Sequence, residues 1–526
     1  MIDLLIVLFY FTTIMIVALK GRALGKSVTS EEYFLSNRNL RWPSVALSTI
    51  ATNIQGYQFL GMMGSAYLYG LAQASLEINA VQGILMAVFI FVPMYLSQKI
   101  ITITQFIKKR LGSTVALFYS GANILMFATI TLGAALFWGA YAADMVFSDY
   151  LTWISEDQII RISVLIIALG IFSAIYTYLG GLAAVVKTDI IQFAILLTGG
   201  ITVLFVAIYH LGGWSQLYIK TPELMHLHLP ADHEKLPWTH MFGLFFLNIN
   251  YWCANQTVIQ RSLAAKNLQE AQIGLMVGGF TKYLMAAVIV LPGIALVGIL
   301  GENGLADPDM AFPYLVKNFL PIGVKGIILC ALFASLMSTV DSTFNSLAAL
   351  WSIDIYKSYI NKKATDLQVV NAGRKTILVT LFTGIAMGLI LLNVKFNSPN
   401  AAFTHTLNEL RYYLNCGFVV LICTAAFILA PNYRISLIAF LATIPLHLVI
   451  KGFNFGFIEY SGLFPNMNYF VRAGWVIVIG LLISSFSLYN TRYKNFNEFM
   501  NSESKKITKI GLGLLASLIL LHVIFH

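Results

Sequence analysis

An all-α protein that crosses a membrane many times is the fold class this sequence predicts, and three observations predict it. The 526 residues are 58% hydrophobic and only 11% charged, whereas soluble domains carry about 25% charged residues. Apolar runs of about 20 residues, each able to span ~30 Å of hydrocarbon, recur from end to end. Amides and glycines interrupt two of those runs near their middles, where lipid offers a polar group no partner.

Roughly 14 spans are expected, starting near residues 3, 44, 76, 116, 158, 187, 240, 270, 325, 373, 404, 432, 470 and 508. The first, Met1 to Leu19, lacks the basic flank and cleavage site of a signal peptide, so it reads as a retained helix. A linker, Gly21 to Trp42, follows and contains a short amphipathic stretch from Ser30.

The second span carries the first interruption, Ala51 to Gly61, with Asn53, Gln55, Gln58 and two glycines. Glycine lets a helix unwind and expose carbonyls. Irregular backbone at membrane depth is tolerated where it lines a cavity, as in transporters that hold a cation beside a substrate. The alternative is a kinked helix whose amides bind neighbouring helices.

The third span places Glu77 near its start. An intramembrane carboxylate faces an interior or a watery cavity; otherwise Glu77 sits at the interface. Ala116 to Val146 is rich in small residues and suits close packing. Asp189 opens the helix after Gly180-Gly181, where an acid could cap the N-terminus or reach a cation. Leu211 to Trp238 is the largest outer loop, and its His226, His228 and His233 read as solvated.

A second amide cluster, Asn248 to Gln256, follows about 195 residues after the first. Two interrupted hydrophobic segments at matching places point to a transporter site. Lys282 lies inside the next span and requires a negative or polar partner, for which Glu77 is the candidate. Ser335, Ser338, Thr339 and Ser342 share one helical face. With Asp341 they form an oxygen-rich stripe suited to a small hard cation; hydroxyls bonded to their own helix are the alternative. His405, Asn408, Glu409 and Arg411 make a polar start to a later span, where Glu409 and Arg411 pair with each other or touch substrate.

The formal charge of +10 does not signal nucleic acid, because basic residues concentrate in alternate loops. One side holds 23, among them Lys20, Arg22, Lys26, Lys108, Arg261, Lys362, Arg492 and Lys494, and the other 8. By the positive-inside rule both termini lie outside. Cys253, Cys330, Cys416 and Cys423 show neither zinc nor redox spacing. No phosphate-cradling glycine loop is present, so active transport would draw on an ion gradient. No nucleophile–base or metal set marks an enzyme.

Several stretches resemble the sodium/solute symporter family, in its sodium–glucose cotransporter branch. They are Glu32-Tyr-Phe-Leu, Asn53-Ile with Gln58-Phe-Leu-Gly-Met, Gly180 to Asp189, Tyr251-Trp with Ile259 to Lys266, Leu291-Pro-Gly-Ile-Ala, and Asn345-Ser with Asp354-Ile-Tyr-Lys. The resemblance implies a LeuT-type core of two inverted five-helix repeats, 44–210 and 240–430, joined by the outer loop 211–239. One extra helix and linker precede it, 1–43, and three helices follow, 431–526.

Carried over by position, substrate contacts fall on Asn53, Gln58, Glu77, Asn248, Lys282 and Asn408, and gates on Met62 and Tyr251. Sodium would sit on the carbonyls of Ala51, Ile54 and Ser335 and the hydroxyls of Ser338 and Thr339. A second sodium would sit near Asp189, Asp341 and Ser342. The pattern departs from the family at Asn408, Ala80, Leu76 and Thr404, and these positions bear on the exact sugar and the outer gate. The implied activity is sodium-driven import of a hexose or inositol by alternating access, in a bacterial inner membrane. The partners are sodium, sugar and lipid, with no nucleic acid and no obligate protein partner. The alternatives are a charged substrate, such as a sugar acid, organic anion or amino acid, and a sodium channel or sensor.

Overall fold

The computed structural model describes residues 2–20, 28–54, 58–301, 303–397, 403–428, 431–454, 458–486 and 505–526, with backbone only at 403–406, 454 and 505. Gln55 of the first amide cluster lies outside the described residues. So do Arg22, Lys26, Arg492 and Lys494 of the basic loops.

Among the described residues, ten helical runs have the length and apolarity to cross a bilayer. Helices also occur at the remaining expected positions, for physical reasons short of an independent span. The two spans expected from 158 and 187 form one bent run, Gln158–Leu211. The segments expected from 44 and 240 are interrupted, and Tyr469–Ser485 is shorter. A small strand pair, Phe453–Asn454 against Glu459–Tyr460, lies between the helices at Tyr433–Lys451 and Tyr469–Ser485.

The bend in Gln158–Leu211 falls at Gly181, with φ +57°. An added Cβ there would lie 2.5 Å from the carbonyl oxygen of Tyr33. Glycine is required both for the left-handed backbone and for the approach of the linker helix Ser30–Leu35. That helix buries Tyr33, Phe34 and Leu35 and exposes Glu31 and Glu32, as an amphipathic stretch should.

Burial orders the bundle. The most apolar window of Val324–Ile360 is 94% buried, against 22% for Ile2–Leu19 and for Lys506–Ile524. The hydroxyl-bearing helix is therefore surrounded by protein, while the first and last helices face mostly outward. The first helix is nevertheless tied to the centre. Asp3 Oδ1 accepts from the backbone N–H of Gly323 at 2.8 Å and of Gly326 at 2.6 Å. A carboxylate there satisfies orphan donors at the start of Val324–Ala349 and opposes its dipole.

Candidate functional site

Both amide clusters sit where a helix stops. Trp42–Asn53 ends at Ile54, which turns extended with ψ 108°, and helix resumes from Gln58 in a wide turn, then Met63–Tyr69. His240–Ile249 widens over Asn250–Ala254 and turns extended at Asn255. The Asn255 side chain then caps Gln256–Leu263, accepting from Thr257 N at 2.9 Å. Freed carbonyls need donors at membrane depth. Tyr95 donates to the carbonyl of Cys253 at 2.8 Å and Tyr119 to that of Ala254 at 2.9 Å. Neither tyrosine stands out in the sequence from an ordinary core aromatic.

Between the breaks lies a cavity of about 200 Å³ lined by Asn53, Gln58, Met62, Glu77, Asn248, Tyr251, Lys282 and Asn408, among others. Sites for drug-sized ligands run about 300–1,000 Å³, so this one suits a small ligand. The structure thus brings every expected substrate and gate residue to one chamber. Lys282 forms a buried ion pair with Glu77 and donates to Asn53 Oδ1 at 2.5 Å. Gln58 Nε2 donates to Glu77 Oε1 at 2.8 Å. Asn248 Nδ2 donates to the carbonyl of Asn79, two residues past Glu77, at 2.9 Å. The interfacial reading of Glu77 fails, since only 6% of the residue is exposed.

The close pass of these two helices depends on Gly83. A Cβ there would meet the Asn248 carbonyl oxygen at 2.5 Å and the Trp252 ring at 2.8 Å.

The hydroxyl stripe faces the first break. Ser335 Oγ donates to the Ile54 carbonyl at 2.8 Å. Thr339 Oγ1 lies 3.2 Å from the Ser335 carbonyl and 3.5 Å from that of Thr52. Ser338 Oγ donates to Asp189 Oδ1 at 2.5 Å. Ala51 is buried one turn before Ile54. Carbonyl and hydroxyl oxygens from two helices converge here, which is the donor set a hard monovalent cation prefers. Back-bonding within the helix accounts for Thr343, whose hydroxyl reaches the Thr339 carbonyl at 2.7 Å, but not for Ser335 or Ser338.

Three expectations need correction. Asp189 caps no helix. It lies inside Gln158–Leu211, fully buried, bonded to Ser48 and Ser338 and 3.3 Å from the Arg261 guanidinium. Arg261 is itself completely buried and also bonds Ser342 and Ser48. Next to this set, Tyr176 donates to Asp341 Oδ2 at 2.5 Å. Glu409 does not pair with Arg411; it holds Arg472 and, at 2.7 Å, Lys451. Arg411 instead lines the cavity, with Tyr412 and Asn415. The spacing Asn408, Arg411, Tyr412, Asn415 on Phe403–Phe427 is one helical face and could have shown this. Finally, His228 is not simply solvated: its ring stacks on His522. Thr404 has no described side chain.

Among the described residues, no group of three histidines, cysteines or acids is arranged to hold a metal.

Residues 33–428 match the sodium:solute symporter family. The chain is 30% identical over 455 residues to a sodium/glucose cotransporter of Vibrio parahaemolyticus, covering 81% of this chain and 80% of that one. It is 26% identical to the rabbit (Oryctolagus cuniculus) sodium/myo-inositol cotransporter 2, covering 73% of this chain and 60% of that longer one. In three dimensions it is similar to a substrate-bound, outward-open sodium-coupled sialic acid symporter, with a TM-score of 0.78 at 18% identity over 93% of this chain and 98% of that one. The nucleobase-cation symporter Mhp1 gives a TM-score of 0.56 at 13% identity, over 93% and 99%. At such identity these two show the fold, a LeuT-type bundle, and nothing of substrate.

Proposed function

Because the chain belongs to the sodium:solute symporter family, we propose that it imports a sugar or sugar-like polyol, a hexose or inositol, by alternating access. Membership makes it a multi-pass membrane transporter, not an enzyme, with sodium as the coupling ion. The curated relatives named for glucose and myo-inositol support a hydroxyl-rich cargo. The observation that carries the reading is the cluster of Glu77, Lys282, Asn53 and Gln58 beside Asn248 in one small chamber. Alternating donors and acceptors at fixed positions suit sugar hydroxyls, each of which can give and take a hydrogen bond.

Sodium would bind the carbonyls of Ala51, Ile54 and Ser335 with the hydroxyls of Ser338 and Thr339. It would tie the first broken helix to the buried stripe and so complete the sugar pocket beside it. From potential alone one sodium contributes about 2.3 kcal/mol per 100 mV. Uptake of glucose, galactose and myo-inositol into proteoliposomes, in sodium and in choline, tests this. Saturable uptake that needs sodium supports it. Uptake indifferent to sodium removes the coupling, and non-saturating sodium current alone points to the channel reading.

A second sodium near Asp189, Asp341 and Ser342 is also part of the proposal. Two buried carboxylates there face one guanidinium, Arg261, and an unbalanced intramembrane charge is costly. A measured flux ratio of one sodium per sugar argues against it. The charged-substrate reading is favoured by one observation, Arg411 in the cavity lining. Competition of hexose uptake by a uronic acid would move the substrate class toward sugar acids. We place the protein in a bacterial inner membrane with both termini outside; terminal tags accessible from outside intact cells would support that orientation.

A further inference from the structure

The large loop and the last helix meet over the helix that carries Glu77. His228 Nε2 in the loop lies 2.9 Å from Nδ1 of His522 on Lys505–Ile524. The two rings stack at 5.1 Å and 20°. His522 Nε2 in turn lies 3.2 Å from Asn79 Oδ1. A backbone bond from Leu227 N to the Phe525 carbonyl, 2.7 Å, fixes the loop on the helix. Asn79 stands two residues past Glu77 and its carbonyl accepts from Asn248. A chain of bonds thus runs from the loop, through His522, to both polar walls of the cavity.

The partners fix where the protons sit. Asn79 Nδ2 donates to the Ser75 carbonyl at 2.9 Å, so its Oδ1 is the atom that meets His522, and Oδ1 only accepts. His522 therefore carries its proton on Nε2 and presents a lone pair at Nδ1. His228 supplies the donor from its own Nε2. The other nitrogen of His228, Nδ1, is buried without a partner. A proton added to His522 would meet the His228 N–H head to head, unless His228 moves its own proton to Nδ1, where it finds no acceptor. A proton added to His228 would bury a cation without an acceptor, which is costly. Either event opens the contact.

The surrounding charges do not oppose this. Facing the pair are His226, whose Nδ1 is 3.1 Å from the His526 carbonyl, and His526, whose ring centre is 5.1 Å from that of His228. On the neighbouring helices stand His240, bonded to Ser75 at 2.9 Å, and the Glu77–Lys282 pair. Further along the loop Glu234 pairs with Lys235 at 2.5 Å. The side-chain carboxylates in this set, Glu77 and Glu234, are already held by lysines, and the remaining anionic group is the backbone carboxylate of His526, which meets His226. Burial, with His526 beside it, pushes the His228 imidazole below the usual histidine value.

We propose that His522 is a positioning residue for sugar binding, through which acidification weakens the site. This rests on the sugar-transport reading. The neutral latch is present at and above the ordinary histidine value of about 6.5 and is lost as pH falls below it, since burial holds the His228 imidazole under that value.

The test is sodium-driven uptake in proteoliposomes of whichever of glucose, galactose and myo-inositol is carried best, with both sides at pH 7.5 or both at pH 5.5. For the unaltered protein KM should rise about fivefold at the lower pH, the effect of one lost hydrogen bond. Half-saturating sodium should change less. His522→Phe should hold KM high at both pH values. His228→Phe, which removes the opposing N–H, should hold it low at both. A flat KM in the unaltered protein, or a rise that survives in both variants, overturns the proposal. Thermal unfolding without sugar separates it from the transport reading. The midpoint should fall between pH 7.5 and 5.5 in the unaltered protein and in neither variant, even if none of these sugars is carried. Equal falls in all three proteins would refute the latch, even with transport intact.

Discussion

At the scale of single residues, Glu77 and Lys282 show how much an intramembrane charge reveals. Each is too costly to leave alone, so the sequence already points one at the other, and the structure joins them through Asn53 and Gln58. Removing one partner leaves a buried charge and costs about 3–5 kcal/mol. Lys282→Met should therefore lower the unfolding temperature and abolish uptake. Adding Glu77→Gln to it should restore most of the stability but none of the transport. Transport recovered in the double variant would show that the charges do not touch sugar. Thr339→Ala removes one oxygen from the proposed sodium position, and half-saturating sodium should rise about fivefold, one hydrogen-bond-sized interaction. Unchanged sodium dependence counts against the position. Arg261 was not legible in this way. A basic residue close to a span boundary looks like any other member of a positive loop, and only the fold shows it fully buried against Asp189 and Ser342. The capping alternative for Asp189 fails on a boundary: a helix start drawn a few residues late turns an interior acid into a cap.

At the scale of elements, the interruptions were legible because amides and glycines in an apolar run have few other uses. The donors that complete them were not. Tyr95 and Tyr119 lie on other helices, and nothing in their local sequence says that a hydroxyl meets the carbonyls of Cys253 and Ala254. Gly83→Ala would place a methyl 2.5 Å from the Asn248 carbonyl oxygen, forcing apart the helices that carry Glu77 and Asn248. Overpacking of this kind costs about 1–3 kcal/mol, and KM should rise while the protein still inserts. A normal KM would mean that the helices can slide without disturbing the pocket. Asp3→Ala removes the anchor between the first helix and the start of Val324–Ala349. Losing such a cap costs about 0.5–2 kcal/mol, read as a lower unfolding midpoint. If the anchor also sets the register of the hydroxyl stripe, half-saturating sodium should rise as well. A variant with unaltered stability would show the first helix to be a passive addition to the bundle.

At the scale of the whole molecule, composition and run length identify a helical membrane bundle, and the two matched breaks place its centre. Which helices face lipid follows from burial, which no single run discloses. Val324–Ile360 is apolar enough for a lipid-facing span, yet its window is 94% buried. The first broken helix contributes Asn53 to the polar cluster in the cavity and Ile54 to the hydroxyl stripe, adjacent residues at the two positions proposed for sugar and sodium. A cation that fixes the carbonyl end of this helix must restrict Asn53 too, and a sugar that fixes Asn53 must restrict the carbonyls. Binding free energies coupled in this way are reciprocal, typically by 1–3 kcal/mol, or 5–150-fold in affinity. A ligand present at 100 times its Kd raises stability by about 2.7 kcal/mol, so the linkage is readable without transport. Sugar at fixed concentration should raise the unfolding temperature more in sodium than in choline, and sodium should raise it more with sugar than without, by matching amounts. Equal shifts in the two salts would mean that residues 53 and 54 act on their ligands independently, and that the coupling arises somewhere else in the bundle.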